Sequence, residues 1–295
     1  GMGTVRLARD TQLDRWVALK IPKLSEGPSS DQIRSRFLRE AQATAALHHP
    51  NICPIHDLGE VDGTPYLTMP LLQGQPLSQK LAKEKPLPVD QCSEIIRKVA
   101  LALQFAHDQG VIHRDLKPDN IFMNEREEPI IMDFGLARRV DLDDSQITLA
   151  GQIMGTPPYM SPEQFEGNSQ LLGPASDVYS LGVVFYELLT GERPFQGDLP
   201  ALMNQAIHEQ PAAPSQQRPE VPADLDAACL RALAKKPEDR WPSMQAFAEA
   251  LKPIATLRES RLILRIKDTP YLYRPLPEQG VITVGRQRRK PGMPT

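Results

Sequence analysis

Cysteine is scarce in this sequence: three residues in 295, Cys53, Cys92 and Cys229. They are far apart, odd in number and without C-x-x-C spacing, which excludes a disulfide framework and a thiolate metal site and points to reduced thiols in a cytosolic protein. Long apolar runs are missing too. The most apolar stretch, Leu181–Leu189, is short and carries Glu187, so nothing here reads as membrane-spanning. Charge of one sign is absent: the formal net charge is −3, so no global field favours nucleic acid or an anionic membrane. No internal repeat and no signal peptide is visible, and the neighbouring His48 and His49 lack metal-ligand spacing.

What the sequence does contain centres on residues 113–135. H-R-D-L-K-P-D-N is followed by a short apolar run, a polar turn and I-I-M-D-F-G. Ile121–Asn124 and Ile130–Met132 flank the polar Glu125–Glu128 and predict a β-hairpin. That hairpin brings Asn120 and Asp133 to neighbouring points, and the loop before it presents Asp115. Paired oxygen donors beside a carboxylate base suit metal-assisted phosphoryl transfer, because Mg²⁺ prefers hard oxygen ligands. Either motif alone is weak; both at this separation are specific.

On those residues the chain resembles the catalytic core of eukaryotic-type serine/threonine protein kinases, most closely their bacterial branch, over roughly Gly1 to Leu251. The resemblance implies an α+β, two-lobed fold: a small β-rich lobe with one helix (1–69), a hinge (70–74) and a larger, mainly helical lobe (75–252). It implies ATP and Mg²⁺ as cofactors, with Asp115 accepting the substrate hydroxyl proton, Lys117 stabilising the transferring group, and Asn120 and Asp133 holding the metal. Lysine two residues after Asp115 marks the serine/threonine type. Phe122 is implied as the floor beneath adenine, and His113 reads as a structural histidine bonded to backbone.

Upstream, G-M-G-T-V matches the end of the family's phosphate-covering glycine-rich hairpin, where side chains would obstruct backbone N–H groups. Gly1 and Gly3 belong to that hairpin and Val5 is implied to pack on the base. The chain starts within the motif, and the family's first strand and first two glycines are expected to precede it. W-V-A-L-K-I is a β-type run in which the resemblance places Ala18 in the adenine pocket and Lys20 on the phosphates. From about Ser30 to Leu47, Ile33, Phe37, Ala41 and Ala45 recur at helical spacing, and Glu40 lies on the same stripe. A carboxylate on a buried face needs a cation, so Glu40 is expected to pair with Lys20. Tyr66–Met69 reads as a strand entering the hinge, with Met69 as gatekeeper and the Pro70 carbonyl and Leu72 N–H facing adenine. Gln73 stands where an acidic residue contacts ribose in relatives.

Downstream, Val89–His107 forms an amphipathic helix stopped by Gly110. Arg114 before Asp115 implies control by phosphorylation of residues 136–161, with Thr148 the preferred site and Thr156 bonding to Asp115 and Lys117. Glu163 in S-P-E is expected to pair with Arg240, and Asp177 at the start of the apolar helix Pro174–Thr190 to hold the catalytic-loop backbone. Residues 197–222 read as loop around one short helix, followed by helices Asp224–Leu233 and Ser243–Leu251. After a linker (253–261), short β-type runs at Leu262–Ile266, Tyr271–Tyr273 and Val281–Val284 resemble the opening of a forkhead-associated domain, with Gly285 and Arg286 at its glycine–arginine position; the alternative is an extended, solvated tail. The expected partners are ATP, proteins bearing Ser or Thr, phosphothreonine peptides through the C-terminal segment, and a second copy for trans-autophosphorylation, with no nucleic acid. The expected location is cytoplasmic, with a membrane segment beyond Thr295 left open. The rival reading is a pseudokinase that signals as a scaffold.

Overall fold

The computed structural model describes residues 3–22, 30–134, 156–168 and 170–252, and the backbone of 265–266 and 269–270; the side chains of 30–33, 36 and 40 lie outside that description. The chain divides into two compact units, Gly1–Lys252 and Pro253–Thr295. The first is a small sheet-based lobe joined to a helical one.

Strands β1 (Gly3–Asp10) and β2 (Arg15–Pro22) form a hairpin. Asp10 closes it: its carboxylate accepts the N–H groups of Gln12 and Leu13, both at 3.1 Å, a short side chain standing in for a backbone acceptor. β3 (Asp57–Val61) and β4 (Thr64–Pro70) meet at Asp62-Gly63, both with positive φ (49° and 75°), the backbone a tight two-residue turn demands. The sheet order is β1-β2-β4-β3, antiparallel throughout. Register decides which side chains share a face: Val5 lies opposite Lys20, Lys20 opposite Leu67, and Ala18 opposite Met69. Since side chains alternate, Val5, Ala18, Lys20, Leu67 and Met69 all stand on one face. Helix α1 (Ser30–Ala45) covers part of that face, burying Phe37 and Ala41 with Cys53, Leu67, Met69 and Ile130.

A second sheet joins β5 (Gly74–Pro76), β6 (Ile121–Asn124) and β7 (Pro129–Ile131). Gly74 has φ +135°, and a Cβ there would stand 2.0 Å from the Met123 carbonyl oxygen, so only glycine lets the chain leave β4 this close to β6. The hairpin expected around residues 121–132 is present, with its second strand one residue earlier than the apolar run suggests; Ile121 pairs with Ile131. Ile131 also binds the chain before β3, donating to Asn51 O (2.8 Å) and accepting from Cys53 N (2.9 Å).

The helical lobe holds α2 (Leu77–Lys83), α3 (Val89–Asp108), α4 (Pro162–Phe165), α5 (Pro174–Thr190), α6 (Leu199–His208), α7 (Pro214–Gln217), α8 (Ala223–Ala232) and α9 (Met244–Ala250). α5 is buried on nearly every face, and its Gly182 lies where a Cβ would come within 2.8 Å of Ala232, so α8 packs almost onto the α5 backbone. Gly191 ends α5 in the left-handed conformation at φ 82°. Two helices occupy the stretch read as loop around one. α6 is set by Asp198, whose side chain accepts the Ala201 N–H at 3.0 Å, and by Leu202 and Ala206 buried one turn apart. α2 was not expected either. In the second unit, Arg265–Ile266 pairs antiparallel with Thr269–Pro270. Residues 262–264 and 271–295, with the runs Tyr271–Tyr273 and Val281–Val284 and the Gly285-Arg286 pair, lie outside the described residues.

Candidate active site

The loop that follows α3 is built to a fixed shape by one buried carboxylate. Gly110 (φ 73°) turns the chain back, and residues 111–117 lead through a single 3₁₀ turn, Pro118–Asn120, into β6. Asp177 in the first turn of α5 accepts the His113 N–H with Oδ2 and the Arg114 N–H with Oδ1, each at 2.8 Å. Burial pushes the Asp177 carboxyl up, but the hydrogen bond and charge of His107, then the neighbouring His113, outweigh it and hold the group below its ordinary value. The clamp is needed because Arg114 adopts φ +64°, a left-handed conformation that costs a non-glycine residue about 1–3 kcal/mol. His113, fully buried, places Nε2 3.0 Å from the Met132 carbonyl; a carbonyl only accepts, so that nitrogen carries the proton.

The sequence's candidate residues converge around this loop. Lys117 Nζ lies 3.1 Å from Asp115 Oδ2 and donates to the Thr156 hydroxyl at 2.6 Å. Asn120 Nδ2 donates to the Asp115 carbonyl at 2.7 Å, which leaves the amide oxygen on its other side, where a metal ligand would face. Asp133, also left-handed (φ 58°), puts Oδ1 2.6 Å from Lys20 Nζ across the cleft. Lys20 is nearly buried, its side chain 10% exposed, so its charge requires that carboxylate. The expected Glu40 partner cannot be placed beside it, because the Glu40 side chain lies outside the described residues. Gly1 and residues 135–155, with Thr148, lie outside them as well.

Apolar side chains of the sheet and of β6 meet in one cluster. Val5 is 56% exposed on the same face as Ala18, while Met69 is buried at the back with Phe122, Leu72 and Met132 packed about it. Pro70 ends β4 opposite Val17 and leads to Leu72 and Gln73. Gly3 allows β1 to run close to β2, since a Cβ there would sit 2.5 Å from the Ile21 carbonyl oxygen. Cys53 is buried in the same cluster; burial first, and the Asp133 charge second, push its thiol up to about 12, so it is no nucleophile.

Below the loop, Arg240 and Glu163 are 77 residues apart in sequence and form the expected bidentate pair, both contacts 2.8 Å. One participant escaped the sequence reading. Gln164 accepts the Ser161 N–H at 3.0 Å and donates to the Arg114 carbonyl at 3.0 Å, so it braces the same strained residue that Asp177 holds. Its signal was legible: S-P-E-Q is the capping-box pattern at a helix start.

Comparison with known proteins places these observations. A family model for the protein kinase domain matches residues 1–251. The serine/threonine-protein kinase PknB of Mycobacterium leprae is 43% identical over 248 residues, covering 82% of this chain and 39% of that protein. PknB of Mycobacterium tuberculosis is 42% identical over the same length. PknE of Mycobacterium tuberculosis is 36% identical over 293 residues, 99% of this chain and 51% of that protein. The chain therefore spans about two-fifths to one-half of the curated relatives it matches.

Proposed function

Because the chain belongs to the protein kinase domain family, we propose that residues 1–252 transfer the γ-phosphate of ATP to serine or threonine hydroxyls of proteins. One observation carries the reading: Asp115 meets Lys117 at 3.1 Å and Asn120 at 2.7 Å, the Asn120 carbonyl accepts the N–H of Met132, and the next residue, Asp133, puts Oδ1 2.6 Å from Lys20 Nζ. The names of the relatives support serine/threonine as the acceptor class.

In this reading the Asp115 carboxylate accepts the proton of the incoming hydroxyl, its direction set by the loop clamp together with its contacts to Lys117 and Asn120. Lys117, steadied by Thr156, neutralises charge on the transferring oxygens. Lys20 exchanges Asp133 for the nucleotide's phosphates, its burial making the ammonium seek the densest negative charge within reach. Adenine lies between Val5 and Ala18 above and Phe122 below, its edge on the Pro70 carbonyl and the Leu72 N–H, with Met69 closing the back. Asn120 and Asp133, one amide and one carboxylate oxygen donor, would hold a magnesium ion, which prefers hard oxygen ligands. Bound there, the ion supplies charge neutralisation of the phosphates. Two further parts of the proposal stand on sequence alone: regulation by phosphorylation at Thr148 in trans by a second copy, and phosphothreonine binding through the C-terminal segment. The described helices include none long and apolar enough to cross a membrane, and a cytoplasmic site for this domain is part of the same proposal.

The test is transfer from Mg·ATP to a general protein substrate, with mass-spectrometric site mapping, beside an Asp115→Asn control. Transfer to serine or threonine that the control lacks supports the reading. ATP binding without transfer would move it to a scaffold.

A further inference from the structure

The peptide unit that leads into Asp115 is held at both of its polar ends. Its N–H, on Asp115, donates to the His113 carbonyl at 2.9 Å and approaches His113 Nδ1, the ring nitrogen left as acceptor, at 3.3 Å. A bond from residue i+2 back to residue i, with Arg114 between them at φ +64°, is the rarer and strained form of γ-turn. Its C=O, on Arg114, accepts a proton from Gln164 Nε2 at 3.0 Å. Gln164 reaches it from α4, fifty residues on, while its Oε1 accepts the Ser161 N–H at 3.0 Å. We propose that Gln164 is a positioning residue for phosphoryl transfer: through the Arg114 carbonyl it sets the peptide plane before Asp115, so that the folded α4 turn becomes a condition for aiming the base. The inference rests on the kinase reading above.

The residue type carries the argument. Capping α4 asks the side chain at 164 for one acceptor, which glutamate supplies as well as glutamine. The Arg114 carbonyl asks for a donor, and a carboxylate has none. Between an N–H and a C=O, one planar amide serves both, and its two partners fix which end is which. The support behind it is firm: Pro162, Glu163 and Phe165 are buried, and Glu163 is tied to Arg240 at 2.8 Å. Asp177 holds the N–H groups of His113 and Arg114, so its clamp ends at the peptide before this one. Strain at Arg114 is relieved by turning the next plane, which breaks the bond from residue i+2 to residue i and swings the Asp115 side chain. The Gln164 bond opposes that turn from outside the loop, and it touches neither substrate.

The test compares Gln164→Glu, which keeps the cap and loses the donor, with Gln164→Ala, which loses both. For Gln164→Glu, kcat for transfer from Mg·ATP to a general protein substrate should fall at least about fivefold, with KM for ATP within about twofold, the signature of lost positioning rather than lost binding. Independently of activity, the Asp115 amide should exchange its hydrogen faster in that variant while the Ser161 amide stays as protected as in wild type. A residue that only caps α4 gives the opposite pattern, with Gln164→Glu near wild type and the loss confined to Gln164→Ala. That pattern, a smaller fall in kcat, or unchanged exchange at Asp115 overturns the proposal. Should neither variant fold, the ¹⁵N spectrum of the wild type decides: a Gln164 Nε2 proton protected from exchange supports it, and exchange at the rate of an exposed side-chain amide overturns it. A wild type that transfers no phosphate would defeat the kinase reading instead, and exchange at Asp115 in Gln164→Glu then decides by itself whether the amide holds the plane.

Discussion

Replacing Arg240 with alanine should be the most destabilising single change in the helical lobe. Its guanidinium is 1% exposed and spends all five N–H groups: two on Glu163 at 2.8 Å each, and one each on the carbonyls of Ala175 (2.9 Å), Ala234 (2.8 Å) and Lys235 (2.8 Å). Alanine leaves the buried Glu163 carboxylate with the Ser176 hydroxyl, 2.7 Å away, and strands three carbonyls, those of Ala234 and Lys235 in the turn after α8 and that of Ala175 in the first turn of α5. Breaking a buried pair from one side costs about 3–5 kcal/mol. For a unit of this size each kcal/mol lowers the melting temperature by about 2–4 °C, so Arg240→Ala should melt about 6–20 °C below wild type.

The sign of the pH dependence separates this account from simple loss of packing. In the wild type, burial raises the Glu163 carboxyl, but the hydrogen bond and charge of Arg240, with Ser176, bring it net below 4.5. Its contribution is therefore present above about 4.5 and lost as pH falls through the folded value. In Arg240→Ala the lone carboxylate keeps the burial and loses the cation, so its folded pKa rises above the unfolded one, and protonation relieves the variant as pH falls. The gap between the two melts, measured by calorimetry, should shrink from pH 7 to pH 5. A further Glu163→Gln change should restore part of the loss. A shift under about 2 °C at pH 7, or a gap constant with pH, would refute the reasoning.

Other outcomes follow from single contacts. Asp115→Asn should lower phosphate transfer by about 10²–10⁴-fold with ATP binding and melting near wild type, as read by a transfer assay beside nucleotide titration. Lys235 has its ammonium pushed down to about 8 by burial, while it donates to the Gln205 and Ala206 carbonyls at the end of α6. A folded pKa below the unfolded 10.5 means the unfolded chain binds more protons between these values, so wild-type stability relative to Lys235→Met should rise with pH from about 8 to 10.5; denaturant melts showing a flat or falling difference would contradict it. Cys53, Cys92 and Cys229 are buried with thiols raised, so a thiol reagent at pH 8 should label none of them before the chain unfolds.

How much of this was legible depended on whether a residue's partner could be named from its own neighbourhood. Strand β2, helix α5 and the Ile121–Asn124 strand announce themselves through apolar periodicity, and structure and sequence agree on them to within a residue. The Glu163–Arg240 and Asp177–loop contacts span 77 and more than 60 residues, and they were foreseen only because the surrounding motifs carry a family likeness. Where motif and periodicity both fell silent, the reading failed. α6 mixes Pro200, Asn204, Gln205 and His208 into one helix, and its Asp198 cap is a single polar residue in a polar stretch. α2 begins after Pro76 in a stretch that resembles hinge, and its buried Lys80 looks like a surface residue until Glu84 and Glu127 are seen beside it, at 3.1 and 2.8 Å. The second strand of the hairpin started one residue early because Pro129, a poor strand former, is tolerated at a strand's first residue, and Asn51 donates to its carbonyl at 2.7 Å.

Gln164 shows why such gaps cluster around the chemistry. On the sequence it closes a capping box, and nothing in S-P-E-Q names its second partner. Its meaning comes from Arg114, fifty residues back, whose backbone conformation no propensity predicts. The groups that touch the substrates must be of fixed type and close in sequence, which is what makes them readable as a motif. The groups that aim them need only reach the same few cubic ångströms from any helix end. A motif therefore identifies the reaction, while the strain at Arg114 and the amide that braces it identify what keeps it in register.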